Sequence, residues 1–152
     1  MFYNYTKKGE VNIHMFKLKR SKIFAFYCLC VLFFNSLGVA HAGTSKPSST
    51  WNWSNGSYSF HGTADSNNLY TNYKFTGMTK VSITVNNTSG KYDLEVRVKS
   101  VEAWWKPDKT VSTAVIPHNG TCTWEISNLD SSKKYYIIFY APCKFTGSIT
   151  KK

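Results

Sequence analysis

A chain of 152 residues with 19 Lys and Arg against 8 Asp and Glu carries a formal charge of +11. Its lysines are scattered and no recognition motif accompanies them, which argues against a nucleic-acid partner. Nothing resembles a nucleophile elbow, a zinc-ligand spacing or a phosphate-cradling glycine loop, so the residues point away from an enzyme, a metal site or a cofactor.

In chain order, Lys17, Lys19, Arg20 and Lys22 form a basic cluster, Ile23 to Phe34 is almost wholly apolar, and Ala40-His41-Ala42 is a small-x-small pattern. Basic, then apolar, then small is the order of a secretory signal peptide. The apolar run falls short of the ~20 residues a bilayer span needs. Residues 15–42 are therefore expected to be a signal peptide cleaved after Ala42, making the protein secreted. Residues 1–14 precede the usual start of such a segment. Gly9-Glu10-Val11 can be encoded by a purine-rich ribosome-binding stretch shortly before Met15. Translation is accordingly expected to begin at Met15, in a Gram-positive bacterium, with 1–14 as leader.

The remaining 110 residues, Gly43 to Lys152, hold 13 Lys and Arg against 7 Asp and Glu, a net +6. That length suits one domain, and that charge suits anionic partners such as wall polymers or acidic headgroups. Gly43 to Asn55-Gly56 reads as a flexible lead-in rich in Gly, Ser, Thr and Pro. Residues 57–152 form the expected single domain. Strands are predicted at Tyr58–Phe60, Tyr70–Phe75, Val81–Val85, Tyr92–Ser100, Val111–Val115, Cys122–Ile126, Tyr135–Tyr140 and Cys143–Ile149. The stretch Tyr92–Ser100 is the cleanest: Leu94, Val96 and Val98 alternate with Asp93, Glu95, Arg97 and Lys99, which implies one buried and one wet face. Its charges are expected to pair across the sheet. Asp93 and Glu95 point the same way along one strand without flanking a cleft, a structural rather than a glycosidase arrangement. His118-Asn119-Gly120-Thr121 carries a two-residue hairpin signal. Seven or eight short strands without helical periodicity predict an all-β, antiparallel β-sandwich of jelly-roll or immunoglobulin-like type.

Cys122 shares parity with Trp124 and Ile126, and Cys143 with Phe145, Gly147 and Ile149, so both thiols are expected to face inward. In an exported protein this predicts a Cys122–Cys143 disulfide. Closing a loop of about 20 residues would contribute roughly 3 kcal/mol on chain-entropy grounds.

The succession Tyr58-Ser-Phe60, Val81–Val85, Gly90-Lys-Tyr-Asp-Leu-Glu-Val96, Tyr135–Phe139 and Phe145–Ile149 resembles bacterial pre-peptidase C-terminal domains. These are secreted β-sandwiches that assist extracellular enzymes in substrate binding or export. The resemblance spans about residues 57–150 and implies a sandwich with a binding role. The chain departs from that pattern in its cysteine pair and in an acidic motif reduced to Asp93.

Aromatic residues are the main anomaly, with 16 in the 110, including all five tryptophans. Trp124 reads as core. Trp51, Trp53, Trp104 and Trp105 lie in turn-rich segments, where exposed rings stack on sugars, enter membrane interfaces or anchor protein contacts. Together with Lys106 and Lys109 they form the predicted ligand-binding set. The function expected is a secreted, non-enzymatic binding protein for an extracellular or cell-envelope ligand, a glycan or an anionic wall polymer. The alternatives are a cationic toxin or antimicrobial protein acting on an anionic membrane surface, and an inhibitor or partner binder using a β-edge.

Overall fold

Leu94, Val96 and Val98 are buried and Glu95, Arg97 and Lys99 half-exposed along β7 (Leu94–Ser100), as their alternation requires. The same period organises β3 (Tyr58–Ala64) and β6 (Val81–Asn87). By contrast β10 (Tyr135–Phe139) is buried on both faces, as an all-apolar strand must be. The computed structural model describes residues 39–152, which form one compact unit. The expected leader 1–14 and all of the expected signal peptide except its last four residues lie outside the described residues.

The remaining strands are β1 (Ala40–His41), β2 (Ser49–Thr50), β4 (Leu69–Tyr70), β5 (Tyr73–Lys74), β8 (Lys109–Ile116), β9 (Thr121–Ile126) and β11 (Cys143–Lys151). The chain is all-β. A mixed sheet runs β1-β3-β11-β6-β9, an antiparallel sheet runs β4-β10-β7-β8, and β2 pairs with β5 in parallel. Setting aside the short β1, β2 and β5, eight strands pair antiparallel in nested fashion. The outermost two are β3 and β11, followed inward by β4 with β10, β6 with β9 and β7 with β8.

The two large sheets face each other in a sandwich-like arrangement across an apolar core. Phe145 of β11 stacks on Phe139 of β10 with ring centroids 3.9 Å apart, and Phe60 packs 5.2 Å from Phe139. Gly147 sits opposite Phe60, and a Cβ there would fall 2.6 Å from that ring and 2.5 Å from the Thr84 carbonyl. The missing side chain is what lets the Phe60 ring lie across β11.

Several expectations are corrected. Cys122 and Cys143 are free thiols, not a disulfide. Inward parity holds, since Cys143 is buried and Cys122 packs against the core, but β6 lies between their strands. Cys122 is opposite Val85, which is opposite Gly147, four residues along β11 from Cys143. Two strand spacings of ~4.8 Å and four rises of ~3.4 Å separate the cysteines, well beyond the ~7 Å Cα limit of a disulfide.

The turn at His118–Gly120 is real, with Asn119 at φ 54° and Gly120 N donating to the Pro117 carbonyl at 2.9 Å. It does not close a hairpin, because β8 pairs with β7 and β9 with β6. The Tyr70–Phe75 strand is broken at Thr71-Asn72, where Thr71 Oγ1 donates to the Tyr73 carbonyl at 3.1 Å. Within β7, Arg97 Nε donates to Glu95 Oε1 on its own strand rather than to a charge across the sheet, whereas Asp93, just before β7, accepts from the His118 amide at 2.9 Å, just past the end of the neighbouring β8.

The expected flexible lead-in, 43–56, is instead sewn to the domain. Gly43 N donates to Tyr70 O at 3.0 Å, Trp51 N to Lys74 O at 2.8 Å, and Pro47 is buried. Immediately before it, β1 runs alongside β3 and Ala42 is buried in the core.

Candidate functional site

The connection from β7 to β8 carries the two most exposed large apolar side chains among the described residues. Val101 N donates to Lys134 O at 2.8 Å, anchoring the start of the loop. Glu102 N donates to Asp108 Oδ1 at 3.1 Å, and Lys106 N to Ala103 O at 2.8 Å, so the loop closes on itself. Trp104 and Trp105 occupy the tip of this tight turn. Trp104 is 92% exposed and Trp105 65%, and the two rings meet edge to face at 5.5 Å.

Beneath Trp104 lies a groove of about 360 Å³, lined by Lys46, Lys74, Glu102, Lys106, Asp108 and Tyr136 among others. The lead-in supplies Lys46, β5 supplies Lys74, and β10 supplies Tyr136 from its outer face. On the floor, Tyr136 Oη donates to Asp108 Oδ2 at 2.7 Å, and Lys46 Nζ reaches the same oxygen at 2.9 Å. Glu102 Oε1 accepts from Ser100 Oγ at 3.0 Å and from Lys133 Nζ at 3.1 Å.

These contacts set the protonation states. Burial pushes the Asp108 carboxyl up, but hydrogen bonds from Tyr136, Lys46 and the Glu102 amide outweigh it and hold it below the usual carboxylate range. The hydrogen bonds from Lys133 and Ser100 hold Glu102 low as well. Burial first, and then donation to Asp108, push the Tyr136 phenol well above its ordinary value. The groove therefore holds two ionised carboxylates and a neutral phenol at neutral pH.

Of the predicted ligand-binding set, the structure brings Trp104 and Lys106 to this groove, with Trp105 beside them. Lys109 begins β8 and lines a separate depression with Asn128, Asp130 and Lys133. Trp51 and Trp53 are not exposed platforms; both pack against the core. Trp51 lies edge to face with Tyr58 at 5.0 Å, and its Nε1 donates to Gly56 O at 3.2 Å. Trp53 lies 5.6 Å from Phe75, with Nε1 donating to Thr76 O at 2.8 Å. Their indole N–H groups find backbone acceptors, which is what permits the burial.

Lys46, Lys74, Glu102, Asp108 and Tyr136 were missed by sequence reasoning. Asp108 alone had a local signal, since a carboxylate at the end of a tight turn caps loop amides. The others come from segments distant in sequence.

No protein-family model matches the chain, and no curated protein matches it. The site is thus read from its own geometry. Among the described residues, no group of three His, Cys, Asp or Glu side chains could hold a metal ion.

Proposed function

We propose that this is a secreted, non-enzymatic binding protein that takes an extracellular or cell-envelope ligand, a glycan or an anionic wall polymer, at the β7–β8 turn. The observation that carries the reading is Trp104, 92% exposed above a groove whose hydrogen-bonding groups are already oriented. An apolar ring face beside fixed polar groups suits a sugar, which has an apolar face and a rim of hydroxyls. The low-lying Glu102 and Asp108 carboxyls support binding over hydrolysis.

Export with cleavage after Ala42 is part of the proposal and rests on the basic, apolar, small order of residues 17–42. The jelly-roll alternative among sandwiches is favoured by the nested pairing of β3 with β11, β4 with β10, β6 with β9 and β7 with β8. A role like that of pre-peptidase C-terminal domains agrees with a binding surface carried on such a scaffold.

A second reading has one observation in its favour: Trp104 and Trp105 stand exposed together with Lys106 close by, a combination suited to an anionic membrane interface. The test is retention on insoluble cell wall and polysaccharide, compared with dye release from anionic liposomes. Retention that disappears in a Trp104→Ala/Trp105→Ala variant, without dye release, supports the glycan reading. Dye release without retention replaces it with the membrane reading.

A further inference from the structure

Charge inside the groove is not evenly spent. Three lysines line it, Lys46, Lys74 and Lys106, against two carboxylates, Glu102 and Asp108. Lys46 is committed to Asp108 at 2.9 Å, and Glu102 is matched from outside the lining by Lys133 at 3.1 Å. Lys74 and Lys106 form no ion pair among the described residues. The carboxylates are thus held by close ion pairs with Lys46 and Lys133, and the groove keeps two further cations without a close partner among the described residues, Lys74 on β5 and Lys106 on the Trp104 turn, the latter acting on Glu102 at longer range. A neutral sugar would leave both with only water. A sugar bearing a negative group could stack its ring on Trp104 and place that group near the lysines.

Resting on the glycan reading above, we infer that the groove takes an acidic sugar: a ring with a carboxylate or phosphate substituent, its face on Trp104 and its anion held by Lys74 and Lys106. Glu102 and Asp108 do not repel it, because each is neutralised by its own lysine. Instead they position those lysines and fix the turn. The groove volume, about 360 Å³, lies at the small end of ordinary ligand sites, which fits a short stretch of polymer rather than a long cleft. Lysine ammonium groups bind either kind of anion as point charges, so the carboxylate and phosphate sources share one chemistry.

The test is calorimetric titration of the purified protein with trigalacturonate, its fully methyl-esterified form and glucose 6-phosphate, at low and high salt. The ester keeps the ring and removes the charge. The acid is expected to bind about tenfold tighter than the ester, from two exposed ion pairs worth about three- to fivefold each, and to lose that advantage in high salt. Lys74→Gln and Lys106→Gln should each weaken the acid by about three- to fivefold and leave the ester unchanged, with melting temperature as the control for folding. Trp104→Ala should weaken both. Tight glucose 6-phosphate binding with a weak uronate assigns the anion as phosphate and upholds the inference. Equal binding of acid and ester, or lysine variants without effect, overturns the inference and leaves the glycan reading standing. No binding by any of the three overturns the acidic-sugar inference, and wall retention then decides separately whether the broader reading survives.

Discussion

The Tyr136 hydroxyl donates to Asp108 Oδ2 at 2.7 Å, tying the turn that carries Trp104 to the outer face of β10. Lys46 closes over the same pair, 2.9 Å from Asp108 and 5.9 Å from the centre of the Tyr136 ring. One carboxylate thus joins three segments distant in sequence.

Replacing Tyr136 with Phe removes a hydrogen bond to an ionised group, and should cost about 1.5–3 kcal/mol in denaturant unfolding at pH 7. Asp108 has its folded pKa below its unfolded value, so its contribution is present above the unfolded value and is lost as pH falls through the folded one. The gap between wild type and Tyr136→Phe should therefore narrow below about pH 4. A gap that stays constant into acid would show that the hydrogen bond does not depend on the charge.

The five tryptophans divide by what they touch. Trp53→Ala removes an indole packed on Phe75 and a hydrogen bond to Thr76, and should destabilise by about 3 kcal/mol. Trp104→Ala removes a ring in water and should stay within about 0.5 kcal/mol. Thermal melts of the two variants, run beside wall-retention assays, should give opposite patterns: stability lost in the first, binding lost in the second.

Free thiols have a direct signature. Thiol titration of the domain in denaturant should count two groups, from Cys122 and Cys143, and reductant should leave the melting temperature unchanged. In the native state Cys122, which is half-buried, should react before Cys143, which is buried and whose thiol burial pushes up. Loss of both signals in freshly purified protein, restored by reductant, would mean that the two strands rearrange on oxidation.

Ala42 N donates to His61 O at 2.8 Å, and Asn72 Nδ2 to His41 O at 2.6 Å. A domain beginning at Val39 should be more stable than one beginning at Gly43 by about 2 kcal/mol, from two hydrogen bonds and a buried methyl group. Because Ala42 is buried, cleavage there is expected only on the unfolded chain. Peptidase treatment of a folded chain retaining residues 39–42 should leave that bond intact, while the denatured chain is cut.

Strand identity was legible from the residues because side chains alternate with period two, so Leu94, Val96 and Val98 declare a buried face wherever their neighbours lie. The burial of both faces of Tyr135–Phe139 follows from composition in the same way. Period two says which face a residue takes and nothing about which strand lies beside it. Strand partners are chosen by long-range packing, which seats β6 between the two cysteine strands and parts β8 from β9 despite the turn that joins them. The same physics sorts the aromatics. Trp51 and Trp53 are half-buried because β2 pairs with β5 and brings them onto Tyr58 and Phe75, whereas Trp104 and Trp105 crown an exposed turn. The turn could be seen in the residues around Pro107. The groove under it could not, since Lys46, Lys74 and Tyr136 become neighbours only when the sheets close.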